Sequence, residues 1–156
     1  MKTILIATDF SPTSQNASLY GIELAKALKA KIILFNAFNA APFRSSDPRK
    51  RKLRYDAWMQ SDKRLLEEAD FLDPQHEIME VICDEGAAYH AIVDVANEKK
   101  VDCIVVGRKG NGNVSEHLFG STATALAKNS NITLIVVPEM QDLRKTMSEK
   151  TKGLSV

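Results

Sequence analysis

Five short apolar runs punctuate this chain, with an amphipathic stretch between each and the next, and that alternation limits the fold more than any other feature. The first, Thr3 to Ala7, is continuous and stops at Thr8-Asp9, as expected of a strand buried on both faces. Lys31 to Asn36, Ile78 to Ile82, Asp102 to Val106 and Ile132 to Val137 follow, the last stopped by Pro138. Ser11-Pro12 and Asp47-Pro48 each offer an N-cap residue followed by a proline at the first helical position. The helix after Ser11 places Ala17, Gly21, Leu24, Ala25 and Leu28 on one face, mostly small residues suited to close approach to a sheet. Ala37 to Ser46, with Pro42, reads as a loop of about ten residues. Tyr55, Trp58, Leu65, Ala69 and Leu72 mark a longer helix, and the aromatic pair is expected to pack on the sheet. Gly86 opens a helix with Ala88, Ile92, Val95 and Ala96 on one face, and Leu118 to Lys128 forms the last. Such alternation implies right-handed crossovers and an α/β fold: a five-stranded, parallel, doubly wound, Rossmann-like sheet with helices on both faces.

Ligands of such sheets bind beyond the carboxyl ends of the strands, where the winding reverses. Ala7, Thr8 and Asp9 end the first strand, and Val106 and Gly107 end the fourth. There the chain carries a glycine pattern, GxxGx9G(S/T), made by Gly107, Gly110, Gly120 and Ser121. Glycine lets backbone approach a ligand closely, and free N–H groups at a helix start, here Gly120, Ser121 and Thr122, attract anions. A phosphate chain is the natural occupant. The plainer alternative is a tight turn at Gly107 and Gly110, a second at Asn111-Gly112, and close helix packing at Gly120.

Other chemistries find less support. A Walker A sequence is absent, and Gly110-Asn-Gly112-Asn-Val-Ser115 fails the dinucleotide fingerprint at its third glycine. His76, His90 and His117 have unrelated spacings, with no metal-ligand cluster or GxSxG elbow, so neither a metal site nor a catalytic residue is assigned. Cys83 and Cys103 lie in or beside apolar runs and read as buried thiols. The basic run Arg49 to Arg54 lacks interleaved aromatics and reads as a solvated helix face, and the net charge of +1 gives no global field for nucleic acid. With 156 residues, no apolar run near the roughly 18 a membrane span needs, and no signal peptide, a single cytoplasmic domain is expected.

Ile-Ala-Thr-Asp-Phe-Ser near the start, Val-Asp-Cys-Ile-Val-Val-Gly-Arg-Lys-Gly, Leu-Phe-Gly-Ser-Thr-Ala and the closing Ile-Val-Val-Pro together resemble the single-domain universal stress proteins. The resemblance covers residues 1–138 and leaves 139–156 as a C-terminal extension, a short helix and tail. It implies strand order 3-2-1-4-5 and an ATP site in which Ala7, Thr8, Asp9 and Ala37 surround adenine and ribose. Val106 and Gly107 would close over the nucleoside, and Lys109, Gly110, Gly120, Ser121 and Thr122 would hold the phosphates, with or without Mg²⁺. It further implies a homodimer along the fifth strand, Ile132 to Val137, which would cover an apolar edge, and a stress-response role exerted on a downstream protein. No dedicated general base is visible, so binding is favoured over hydrolysis, which would be slow. Two alternatives stay open: a member without ATP binding that acts through its dimer surface, and an enzyme of the same fold.

Overall fold

The computed structural model describes residues 1–39, 46–75, 79–108 and 119–138. The apolar runs fold as strands β1 (Thr3–Ala7), β2 (Lys31–Phe38), β3 (Met79–Glu85), β4 (Cys103–Gly107) and β5 (Thr133–Val137). Between them lie helices α1 (Pro12–Leu28), α2 (Pro48–Leu72), α3 (Ala88–Glu98) and α4 (Ser121–Asn129). The sheet has order β3-β2-β1-β4-β5 and every pairing is parallel, as the alternation and the resemblance led one to expect. Residues 139–156, assigned from sequence to an extension, lie outside the described residues.

Strand residues alternate between two cores, which is why the runs need no polar face. Ile4, Ile6, Ile32, Leu34 and Val105 point toward α1 and α2, joined by Ala17, Ile22 and Leu65. Leu5, Ile33, Phe35, Ile104 and Val106 point the other way, toward Ile92 and Val95 of α3 and Leu126 of α4. The small face of α1 has a steric cause: a Cβ on Gly21 would lie 2.5 Å from Ile6 Cδ1. Leu28, expected on that face, is exposed instead. Lys29 takes a left-handed conformation at the C-cap, turning the chain so that Ala30 N–H bonds Ala25 O (2.9 Å) and Ala30 fills the core position.

Both N-cap readings hold. Ser14 N–H donates to Ser11 Oγ (3.2 Å) and Arg49 N–H to Asp47 Oδ1 (2.9 Å), each ahead of a proline at the helix start. β2 and β3 outrun their apolar centres, with Ala37 and Phe38 pairing with Asp84 and Glu85, so Ala37 lies within the strand instead of opening a loop. Gly86 stands just before α3 at φ +144°, a conformation that side chains rarely adopt.

The core expectation for Tyr55 and Trp58 is overturned. Tyr55 is exposed and Trp58 is 37% exposed, and they pack on each other with ring centroids 5.9 Å apart. The helix seats on the core only further along: its buried residues are Leu65, Glu68 and Ala69, whereas Tyr55 and Trp58 lie on the first turns, which stay largely exposed. Arg54 pairs there with Glu85, the last residue of β3. The basic run lies on these turns and is solvent-exposed, as read from sequence. Cys83 and Cys103 are half-buried; burial and nearby carboxylates push Cys83 up to about 11 and raise Cys103, which leaves both thiols protonated at neutral pH.

Candidate functional site

A cleft of about 430 Å³ opens beyond the carboxyl ends of β1 and β4, where the winding reverses. The topology carries Ala7, Thr8 and Asp9 from β1, Ala37 from β2, Val106 and Gly107 from β4, and Gly120, Ser121 and Thr122 from the start of α4 to its walls. Residues separated by more than a hundred positions thus face one space. Lys109 and Gly110, also named from the sequence, lie outside the described residues. Sequence reasoning did not name as site residues Ser11, Thr13 and Ser14 at the start of α1, Arg108 after β4, or the apolar Phe35 and Ile92, all of which line the cleft. The signal for the first group was present, since Ser11-Pro12 already marked a helix start aimed at a strand end.

The walls differ electrically. Helix α4 begins with Gly120 as its N-cap, at φ −64° and ψ 166°, with no side-chain cap. Thr124 N–H is the first to bond back, to Gly120 O (3.0 Å), so the N–H groups of Ser121, Thr122 and Ala123 precede the helical ladder. The Asp9 carboxylate lines the same cleft and accepts from Ser11 N–H at 2.9 Å. Half-burial alone would raise its pKa, but hydrogen bonds from Ser11, from Ser14 and from its own backbone outweigh that and hold it below the ordinary value. Backbone donors at the start of α4 and the Asp9 acceptor thus line one cleft, with apolar Phe35 and Ile92 among its walls.

Beneath Asp9 lies a buried network that the sequence did not reveal. Glu68 reaches up from α2, 8% exposed, and accepts from Thr8 Oγ1 (3.1 Å) and Ser18 Oγ (2.9 Å). Thr8 Oγ1 in turn accepts from Phe10 N–H (3.1 Å) and meets Ser14 Oγ (3.1 Å). Thr8 N–H bonds Phe35 O (2.9 Å) and Thr8 O accepts from Asn36 Nδ2 (2.8 Å). All polar atoms of Thr8 are therefore engaged within the protein, and it serves the cleft as a wall.

The universal stress protein family model matches residues 1–138. The chain belongs to that family. Universal stress protein MJ0577 of Methanocaldococcus jannaschii is 29% identical over 159 residues, covering 87% of this chain and 94% of that protein. The solved structure of MJ0577 superposes with a TM-score of 0.72 over 88% of this chain and 95% of its own, at 26% identity. Universal stress proteins solved in complex with cAMP (TM-score 0.66, 24% identity, 88% and 97% coverage) and with dAMP, the latter from Archaeoglobus fulgidus (TM-score 0.54, 16% identity, 88% and 97% coverage), share the fold.

Among the described residues of this universal stress protein, no group of three His, Cys, Asp or Glu side chains could hold a metal, and no helix is long and apolar enough to cross a membrane. His90 lies on α3 with its ring against Tyr89; His76 and His117 fall outside the described residues.

The two carboxyls near β1 have opposite linkage to stability. Burial, chiefly, and then the nearby Asp9 charge raise the Glu68 pKa, against hydrogen bonds from Ser18 and Thr8 and the attraction of Arg64. Glu68 thus binds its proton more tightly folded than unfolded, so its ionisation removes stability as pH rises past the ordinary value of 4.5 and through its folded value. Asp9 is depressed, so its contribution is present above 3.8 and lost as pH falls below that toward its folded value. As pH rises, we expect Glu68→Gln to gain stability relative to the wild type once past 4.5, and Asp9→Asn to lose it on the approach to 3.8 from below. Urea unfolding across pH measures both, and curves parallel to the wild type would refute the assignment.

Proposed function

We propose that the cleft binds ATP and that the chain works as a nucleotide-responsive regulatory module of the stress response, in the cytoplasm, and not as an efficient enzyme. One observation carries this reading: the start of α4, with three leading N–H groups and no side-chain cap among the described residues, lines the same cleft of about 430 Å³ as a low-pKa carboxylate. Triphosphate oxygens would lie on Ser121 and Thr122 and on Gly120, with Lys109 and Gly110 completing the pattern. Asp9 would accept from the ribose hydroxyls or the adenine amino group, with Ala7, Ala37, Val106 and Gly107 around the nucleoside. That other universal stress proteins hold cAMP and dAMP supports the choice of an adenylate.

Mg²⁺ bound with the phosphates would find hydroxyls at Ser121 and Thr122, and it would neutralise phosphate charge there. The edge of β5 is the proposed homodimer seam, because Leu134, Ile135 and Val136 are only partly covered within one chain. A downstream protein would read the nucleotide state.

Isothermal titration should show saturable ATP binding with one site per chain, GTP at least tenfold weaker, and sedimentation velocity should show a dimer. Protein that takes up no adenylate, together with acid extracts of fresh protein free of nucleotide, would leave the alternative of a member acting only through its dimer surface. A monomer would remove the seam.

A further inference from the structure

The turn that carries Asp9 is held in a conformation that its own sequence disfavours. Phe10 sits at φ +66°, a left-handed geometry costly for a bulky side chain, which persists only where the surroundings enforce it. Three groups do so. Phe10 N–H donates to Thr8 Oγ1, Ser11 N–H donates to Asp9 Oδ1, and Asp9 N–H donates to Ser14 Oγ (3.3 Å). The Thr8 hydroxyl that receives Phe10 N–H is itself oriented by α2: its proton goes to Glu68 Oε2, which leaves its lone pairs for Phe10 and Ser14. One turn earlier on α2, the Arg64 guanidinium lies over the Phe10 ring at 4.3 Å from its centroid. Helix α2 therefore grips the turn twice, from below through Glu68 and Thr8 and on the ring face through Arg64.

We infer that Glu68 is a positioning residue for the ligand cleft: bonded to Thr8 Oγ1, it locks the Thr8–Ser11 turn so that the Asp9 carboxylate faces the nucleoside end of the site. The inference rests on the nucleotide reading for its effect on affinity, but the geometry of the turn stands apart from any ligand. Glu68 touches no ligand itself. Its partners along the network, Ser18 and Ser14, belong to α1, so the grip couples α2, α1 and the end of β1. Glutamine can replace it, because the amide oxygen accepts from Thr8 while the amide nitrogen donates to Ser18, whose hydroxyl then keeps its bond to Ser14 O.

The test separates the two ends of the cleft. ATP and inorganic tripolyphosphate are titrated into the full chain as wild type, Glu68→Ala, Glu68→Gln and Thr8→Val. Loss of the Thr8–Glu68 hydrogen bond, which the two variants share, is expected to weaken ATP about tenfold in Glu68→Ala and Thr8→Val. Tripolyphosphate, which meets only the phosphate end, should bind as in the wild type, and Glu68→Gln should keep ATP within about threefold of the wild type. A variant that is merely unstable would lose both ligands, whereas this split marks positioning. Thr8→Val decides the matter if Glu68→Ala does not fold. ATP bound equally by wild type, Glu68→Ala and Thr8→Val overturns the inference, and so does parallel loss of both ligands. Amide hydrogen exchange gives the ligand-free arm: Asp9, Phe10 and Ser11 should exchange at least tenfold faster in Glu68→Ala while α4 amides are unchanged. Unchanged protection there overturns the inference even in protein that binds no nucleotide, an outcome that would separately refute the nucleotide reading.

Discussion

Gly107→Val is expected to lower the free energy of unfolding by about 3 kcal/mol, the upper range for overpacking a site that cannot yield. A Cβ at Gly107 would stand 2.7 Å from Thr13 O and 2.9 Å from both Thr13 C and Thr13 Cγ2. Two of these three atoms are backbone, so no rotamer change relieves the clash. Thr13 lies in the first turn of α1, fixed by the Ser11 cap, and Gly107 is paired in register with Val137 of β5. Either α1 lifts from the sheet or β4 slides. Gly107→Ala places the same Cβ with less beyond it and should cost about 2 kcal/mol. Urea unfolding midpoints measure both, and a loss below about 0.5 kcal/mol for the valine variant would show that α1 docks loosely, contrary to this geometry.

This changes what the first glycine of the pattern means. From sequence, Gly107 made room for a ligand to approach the backbone; in the structure, its missing side chain makes room for α1. The two are linked, because seating α1 that closely brings Ser11, Thr13 and Ser14 to the cleft wall and places the Asp9 turn beside them.

What the sequence disclosed follows from the range of the physics involved. Strand runs and cap residues are local signals, and the parallel order needed only those signals and the handedness of crossovers. The position of the cleft followed from topology, so Ala7, Asp9, Val106 and Gly120 could be brought together without coordinates. Glu68 could not. It sits in a charged stretch, Glu67-Glu68-Ala69-Asp70, where no periodicity distinguishes it, and its partner Thr8 is 60 residues away. Tyr55 and Trp58 failed for a related reason: helical spacing tells which side chains share a face, but not which turns of the helix seat on the core. The left-handed Phe10 was equally hidden, since a phenylalanine gives no hint of positive φ and only the surrounding bonds impose it.

Gly120→Asp is expected to abolish measurable ATP binding, at least a hundredfold loss, while leaving the fold slightly more stable. The backbone of Gly120 lies at φ −64° and ψ 166°, open to any residue, so glycine is not needed there for conformation. It is also a weak choice as a cap compared with aspartate, whose side chain would accept from Thr122 or Ala123 N–H. Capping and the favourable carboxylate at the positive end of α4 together should add about 0.5–1 kcal/mol of stability. The same carboxylate would occupy the donors proposed for the phosphates and set a negative charge beside them; losing two charge-assisted bonds at about 1.5–3 kcal/mol each gives the hundredfold figure or more. Gly120→Ala separates the effects, because it supplies no competing acceptor: it should cost a little stability and keep most of the affinity. Stability and affinity then move in opposite directions across the pair, which unfolding cannot mimic. Thermal melts and ATP titrations of both variants are the measurement, and an aspartate variant that binds ATP within threefold of the wild type would mean that the phosphates do not lie on the start of α4.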